Sequence, residues 1–169
     1  LEASCNASGS QGSPANWKID ETQEHELQCW AEAKGVWIPN SEQMLCQSFG
    51  DKIAEGAEAK VYYKTGDTHV VKLRTSIYAT LGRGLEAIAL HNALFPETIM
   101  RIVGFTRDDD ELFRIILTQP YIECQRLASK EEIDNMVVSK GFQDNGDGKG
   151  INYISDHLHL EDMHPANVF

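Results

Sequence analysis

The sequence predicts an α+β domain built around an antiparallel sheet. Its segments run in the order helix, hairpin, helix, hairpin, helix, glycine-rich loop and a final polar loop. Strands joined by short turns become antiparallel neighbours, and helices placed between such hairpins are typical of this fold class. With 169 residues and 41% hydrophobic content, the chain can form one domain, or a small two-lobed one, with a real core.

Three segments have the apolar spacing of amphipathic helices. The first runs from about Asp20 to Lys34, and Gly35 follows it as a C-cap signal. A short helical turn is expected within VWIPNSEQMLC. The segments LEAIALHNALFP and KEEIDNMVVSKGF are predicted helices that end before Pro96 and at Gly141.

Two hairpins account for most of the predicted sheet. The first joins strand-like runs at 59–64 and 69–74 through the turn Thr65-Gly66-Asp67. The second has Asp108–Asp110 at its turn and an apolar second strand, Phe113–Leu117. The loop QDNGDGKG then leads into a strand.

Composition excludes several classes of function. The formal net charge of −11 argues against a nucleic-acid binder, which needs a basic face. No apolar run approaches the roughly 18 residues of a membrane span, and the N-terminal segment lacks the features of a signal peptide. The four cysteines are widely spaced, which favours reduced thiols and a cytoplasmic protein.

Two positions near the first hairpin suit a nucleotide phosphate. Gly56 lies in a turn of small residues between two β runs, IAEGAEAKVYY, where the backbone can approach a phosphate; an ordinary hairpin turn explains the same pattern. Lys72 lies in the apolar strand HVVKL, on the same face as Val70. Such a lysine must either extend to water or bind an anion, and both explanations stay open.

The next helix carries Glu86 near its start. This carboxylate is a candidate partner that would hold Lys72 in place. A glutamate at this position also interacts favourably with the helix N-terminus, so its role stays open.

The run EDMHPANVF has the spacing of a phosphoryl-transfer loop. Asp162 and Asn167 lie five residues apart with Pro165 between them. An aspartate can orient the substrate hydroxyl, and an asparagine oxygen can bind a metal ion that is held by the phosphates. Val168-Phe169 is expected to anchor the loop as a buried strand.

HLEDMHPANVF resembles the catalytic loop of the protein-kinase-like superfamily, with Leu160-Glu161-Asp162 where His-Arg-Asp usually stands. From about Glu24 to Phe169 the chain resembles, more closely, the polyvalent protein kinase family of mobile elements and gut bacteria. The segments that carry this resemblance are HELQCWAEAKGVWIP, GAEAKVYY, VVKL, IALHNALFPET, FRIILTQPYI and EDMHPANVF. The resemblance implies a protein-kinase-like fold with ATP and Mg²⁺ as ligands.

The resemblance also implies roles for single residues. Gly56 would lie in the loop that covers the phosphates, and Lys72 would contact the α- and β-phosphates. Asp162 would be the catalytic base and Asn167 a magnesium ligand. His164 would take part of the charge-neutralising role of the lysine that many kinases have there.

The resemblance places the adenine-contacting hinge at QPYI, where the backbone of Gln119 and Tyr121 would contact the base. Pro120 has no N–H and cannot donate.

The expected organisation is a flexible tail at residues 1–19 and a kinase-like domain at 20–169. We expect mostly an N-lobe of antiparallel sheet and helices, about 20–122, with the start of a C-lobe, about 123–169. The second metal-binding aspartate of kinases would lie beyond Phe169, so we expect a C-terminally truncated domain that binds nucleotide weakly at best. A larger multidomain parent protein is also expected.

Two other functions fit the same sequence. The domain can be a catalytically inactive kinase-like scaffold or interaction module. Alternatively, His157, His159 and His164 with Asp162 can form a metal site. The run DNGDGKG suggests calcium but lacks the glutamate that ends an EF-hand loop, which favours a turn-rich loop. The acceptor stays open among protein serine or threonine, a small molecule and an antibiotic-like alcohol.

Overall fold

The computed structural model describes residues 2–5, 16–39, 42–56, 58–75 and 80–168. Its helices are α1 (Asn16–Lys34), α2 (Glu42–Phe49), α3 (Leu81–Leu94) and α4 (Lys130–Ser139). Its strands are β1 (Glu2–Cys5), β2 (Asp51–Glu55), β3 (Ala59–Tyr63), β4 (His69–Arg74), β5 (Arg101–Arg107), β6 (Phe113–Pro120), β7 (Gln143–Asp144), β8 (Tyr153–Ile154) and β9 (Leu158–Glu161). None of the described helices is both long and apolar enough to cross a membrane.

The described residues group into two compact units. The first, named the sheet unit, holds the described residues within 11–84 and 97–121. The second, named the loop unit, holds those within 1–10, 85–96 and 122–168. The predicted N-lobe of 20–122 therefore includes residues 85–96, which the structure groups with the loop unit.

The sheet unit contains a five-stranded antiparallel sheet in the order β2-β3-β4-β6-β5. The predicted α+β class is therefore confirmed, as are both hairpins. In the middle of the sheet, Lys72 pairs with Val61 on one side and with Leu117 on the other. A core of Tyr62, Leu73 and Ile116, among others, covers one face of these strands.

Helix α1 ends where its C-cap glycine predicted. The helix ends at Lys34, and Gly35 takes φ +71°, the left-handed conformation of a glycine C-cap.

After Gly35 the chain runs beside β5: the Ile38 N–H donates to the Phe105 carbonyl, and the Phe105 N–H donates to the Val36 carbonyl. These bonds satisfy the outward backbone groups of Phe105 on an edge strand.

The loop unit contains a second sheet in the order β1-β9-β8-β7, with antiparallel pairs. Strand β1 was expected to be part of a flexible tail, but it pairs with β9 along its whole length. Residues 6–15 of that tail lie outside the described residues. The unit's core includes Ile133, Val137, Tyr153, Leu160 and Met163, all of them almost completely buried.

The hairpin of β5 and β6 is organised by a buried ion pair. Asp108 is 4% exposed and Arg114 is 7% exposed, and the Arg114 Nε and Nη2 atoms lie 2.7 and 2.6 Å from Asp108 Oδ2. The other oxygen, Oδ1, accepts the backbone N–H groups of Asp110 and Leu112 at 3.0 Å. Burial alone would raise the pKa of Asp108, but these bonds outweigh it and lower the pKa.

Replacing this carboxylate should destabilise the sheet unit. Asp108→Asn leaves the Arg114 guanidinium buried without its counter-ion, and we expect a loss of about 3 kcal/mol in the free energy of unfolding. Because the folded-state pKa lies below the unfolded one, the contribution of Asp108 is complete above about pH 4 and is lost as the pH falls through the folded-state pKa.

Urea unfolding of the wild type and Asp108→Asn between about pH 7 and pH 3 measures this loss. Asp110→Asn is the matched control, since this neighbour contributes only its backbone N–H, and it should stay within about 0.5 kcal/mol of wild type. A difference between Asp108→Asn and wild type that does not shrink in acid would contradict the assignment.

Candidate functional site

The loop after β9 brings Asp162 and Asn167 together. The Asn167 Nδ2 donates to Asp162 Oδ2 at 2.6 Å and to the Asp162 carbonyl at 3.0 Å. The Asn167 backbone N–H closes the turn by donating to the His164 carbonyl at 2.8 Å. The carboxylate and the amide that lie five residues apart in the sequence are therefore in direct contact in the loop unit.

The loop is anchored on both sides by buried apolar side chains. Met163 is fully buried and Val168 is 7% exposed, and both belong to the core of the loop unit. Val168 is buried as expected but does not lie in a strand, and Phe169 lies outside the described residues. Met163 took no role in the sequence prediction, although an apolar residue between Asp162 and His164 is a signal for such an anchor.

His164 faces the same carboxylate. Its Nδ1 accepts the Ala166 backbone N–H at 3.1 Å, so in the neutral ring the proton lies on Nε2. That Nε2 lies 3.7 Å from Asp162 Oδ1. Both side chains are exposed, which leaves them open to a substrate in water.

The structure adds one contact that sequence reasoning missed. The Asn152 side-chain Oδ1 accepts the Asp162 backbone N–H at 3.1 Å. Asp162 itself has φ +58°, a left-handed conformation that is uncommon outside glycine. The motif Asp-x-x-x-x-Asn contains no signal for a partner ten residues upstream.

Lys72 lies in the sheet unit in an unusual setting for a lysine. It is half-buried in the central strand β4, and among the described side chains its ammonium group has no hydrogen-bond or ion-pair partner. Burial lowers the pKa of Lys72. A half-buried cation without a counter-ion is a ready site for an anion.

Gly56 follows β2, and its N–H donates to the Ala59 carbonyl at 2.9 Å in the turn to β3. Apart from its two chain neighbours, no described residue would place a heavy atom within 4 Å of a Cβ built at this position. Neither crowding nor a positive φ therefore requires glycine here. The open space above the backbone is compatible with the predicted approach of a phosphate, and Ala57 lies outside the described residues.

The predicted hinge residues, Gln119 and Tyr121, already make hydrogen bonds within the sheet unit. Gln119 pairs with Val70 in the sheet, and its side-chain Nε2 donates to the Thr98 carbonyl at 2.9 Å. The Tyr121 N–H donates to the Thr68 carbonyl at 2.9 Å, which leaves only the Tyr121 carbonyl for a contact with a base. The Tyr121 ring stacks on Tyr63 with centroids 4.4 Å apart.

Glu86 is exposed on α3, in the part of the helix that groups with the loop unit. Lys72 belongs to the sheet unit. The pairing of Glu86 with Lys72 stays a prediction.

A cleft of about 380 Å³ lies within the loop unit, near the end of the Asp162 loop. It is lined by residues 122–126 together with Ala128, Glu132, Met136 and Val168. Val168 directly follows Asn167, so the cleft adjoins the loop that carries the two polar side chains. Cys124 lines the same cleft and is exposed.

The residues present fit a hard cation at Asn167. Because Nδ2 faces Asp162, the Asn167 Oδ1 has no protein partner in the described part of the chain and can serve as a ligand. Amide and carboxylate oxygens are the ligands that Mg²⁺ prefers, and Mg²⁺ usually takes only one or two of them besides phosphate. By contrast, the described residues hold no group of three His, Cys, Asp or Glu side chains suited to a metal, as the histidine metal site would require.

One protein family matches the chain: a family model of serine/threonine/tyrosine kinases found in polyvalent proteins covers residues 20–169. Comparisons with curated proteins and with solved structures gave no match. The matched region includes both Lys72 and the loop from Asp162 to Asn167, and it confirms the resemblance predicted from the sequence. The chain therefore belongs to the serine/threonine/tyrosine kinase family found in polyvalent proteins.

Proposed function

We propose that this kinase-family domain transfers the γ-phosphoryl group of ATP to a hydroxyl group and depends on magnesium. The observation that carries the proposal is the contact of Asp162 with Asn167, which fixes a carboxylate beside an amide oxygen free to bind a metal. Membership of the kinase family supports the reaction class. The domain is proposed to act within a larger, polyvalent protein.

The two carboxylate oxygens of Asp162 have separate proposed roles. Its Oδ2 accepts from Asn167 at 2.6 Å and holds the side chain in place. Its Oδ1 faces His164 and is the oxygen proposed to accept the proton of the acceptor hydroxyl. As the hydroxyl oxygen bonds to the γ-phosphorus, the bond from that phosphorus to the β–γ bridging oxygen breaks and ADP leaves.

Asn167 would hold the metal through Oδ1. When bound, magnesium neutralises charge on the phosphate oxygens. Lys72 would hold the α- and β-phosphates, because an anion gives its half-buried ammonium group the counter-ion that the described side chains do not supply. The Nε2–H group of His164 would donate a hydrogen bond to a phosphate oxygen close to Asp162.

A second candidate is a kinase-like scaffold without catalytic activity. The engaged N–H of Tyr121 favours it, because the hinge loses a donor that an adenine ring would need. Under this hypothesis Asp162 and Asn167 are a structural turn, and the domain serves as an interaction module.

Nucleotide binding and phosphoryl transfer separate the two candidates. We expect Mg²⁺ and ATP to raise the melting temperature of wild type, by an amount that corresponds to about 2.7 kcal/mol at an ATP concentration of 100 times Kd. Lys72→Ala should lose this shift, whereas Lys64→Ala, a change of an exposed lysine in the same unit, should keep it. Asp162→Asn should keep the shift and lower transfer from radiolabelled ATP by about 10²-fold or more.

Equal transfer rates in wild type and Asp162→Asn would contradict the proposed reaction. A thermal shift without transfer in wild type would favour the scaffold. If wild type shows neither a thermal shift nor phosphoryl transfer, the domain has no nucleotide-dependent function.

The charged Lys72 side chain should also lower the free energy of unfolding of the nucleotide-free domain. Because burial disfavours its charged form, the folded-state pKa lies below the ordinary value, so the cost is complete at neutral pH and is relieved as the pH rises through the folded-state pKa. Lys72→Met should therefore stabilise the nucleotide-free chain by about 1 kcal/mol at neutral pH.

Urea unfolding of Lys72→Met measures this gain, which should shrink as the pH rises towards about 10. Lys64→Met is the matched control and should change the free energy of unfolding by less than about 0.5 kcal/mol. Destabilisation by Lys72→Met would mean that the ammonium group has a stabilising partner.

The cleft beside Val168 offers a test that does not depend on turnover. If ATP occupies this cleft, it should protect the exposed Cys124 thiol from alkylation by iodoacetamide. At an ATP concentration ten times Kd, we expect modification about tenfold slower than without nucleotide. Cys29, exposed on α1, is the internal control, and peptide mass spectrometry reads both sites. Equal slowing at the two cysteines, or none, would place the nucleotide elsewhere.

A further inference from the structure

We infer that Asn152 is a positioning residue for the proposed reaction: it holds Asp162 in the left-handed conformation, and Asp147 fixes the Asn152 side chain in the orientation that does so. The inference rests on the proposed function, since it gives Asn152 a role in phosphoryl transfer. It extends the site to the loop of residues 144–150, which the proposed reaction does not otherwise use.

The conformation of Asp162 needs support from its surroundings. A φ of +58° is unfavourable for a residue with a Cβ and persists only where neighbouring bonds hold it. Asn167 binds the Asp162 side chain and carbonyl. The Asp162 N–H is bound by the Asn152 Oδ1 at 3.1 Å, and the next N–H, of Met163, donates to the Ile151 carbonyl at 2.8 Å.

Asp147 determines which end of the Asn152 amide faces Asp162. The Asn152 Nδ2 donates to Asp147 Oδ2 at 2.6 Å. An ionised carboxylate can only accept, so the amide nitrogen must point towards it and the amide oxygen must point away. That oxygen is the one that accepts the Asp162 N–H. The three residues therefore form one chain of hydrogen bonds with a defined direction.

The loop that carries Asp147 is held by its own side chains. Asp144, Asn145 and Asp147 each accept a backbone N–H two residues further along, at 2.7, 3.0 and 2.8 Å. These are successive Asx turns. Gly146 and Gly148, both at φ +75°, provide the left-handed positions between them.

The negative charge of Asp147 keeps the Asn152 side chain in one orientation near neutral pH. The hydrogen bond from Asn152, and then the one from the Lys149 N–H, lower the pKa of Asp147. The carboxylate therefore stays an acceptor.

Amide hydrogen exchange at Asp162 tests the hydrogen-bond chain directly. In Asn152→Ala we expect the protection factor of the Asp162 amide to fall between about three- and tenfold, the change that corresponds to one hydrogen bond. Asn145→Ala is the matched control. Its side chain also binds Asp147, at 3.2 Å, but has no contact with Asp162, so protection there should stay within about twofold of wild type.

Two variants at the exposed Asp147 test the orienting step without touching Asp162. Asp147→Ala removes the acceptor of the Asn152 amide and should lower protection at Asp162. Asp147→Asn keeps an oxygen that can accept the same bond and should restore it. Equal protection in Asp147→Ala, Asn152→Ala and wild type would overturn the inference.

Steady-state kinetics separates positioning from a merely structural role. Asn152→Ala should lower kcat by about ten- to a hundredfold, because a misplaced general base reacts poorly, while KM for ATP stays within about threefold. An unchanged kcat alongside lost protection would overturn the positioning role. If wild type shows no transfer, the proposed function fails, and the exchange data alone still decide whether Asn152 holds Asp162.

Discussion

The left-handed backbone at Asp162 is the constraint on which the rest of the site depends. A residue with φ +58° turns the chain sharply as it leaves β9, and this turn directs the carboxylate back towards Asn167. Hydrogen bonds from Asn167 and to Asn152 satisfy the polar groups on both sides of the turn. Met163 and Val168 bury the apolar positions next to it, so a strained loop is fixed to a packed core.

Lys72 shows a similar conflict between stability and function in the sheet unit. Its strand pairs on both sides, so the side chain is half-buried, and burial lowers its pKa because no described group balances the charge. A core built only for stability would place an apolar residue at this position. In the proposed reaction a phosphate group would supply the counter-ion that Lys72 lacks among the described side chains.

Local patterns in the sequence were sufficient for the parts of the molecule that depend on near neighbours. Helix α1 ends at Lys34 because Gly35 takes the left-handed cap conformation that favours glycine, and the β5–β6 hairpin turns at its aspartates as expected. The spacing of Asp162 and Asn167 predicted that both belong to one polar loop, and the structure places their side chains in direct contact. By contrast, the bond between Asn152 and Asp162 and the commitment of the Tyr121 N–H to Thr68 depend on how distant segments align, which no local pattern encodes.

In the proposed reaction the loop from Asp162 to Asn167 binds a metal ion that carries the nucleotide. Paramagnetic broadening by Mn²⁺, which accepts the same oxygen ligands as Mg²⁺, measures this most directly. In the presence of ATP, Mn²⁺ should broaden the NMR signals of the Asn167 side-chain amide and of the Asp162 backbone amide, and Asn167→Ala should abolish the effect at Asp162. Sharp signals at both residues while ATP is bound would contradict the claim.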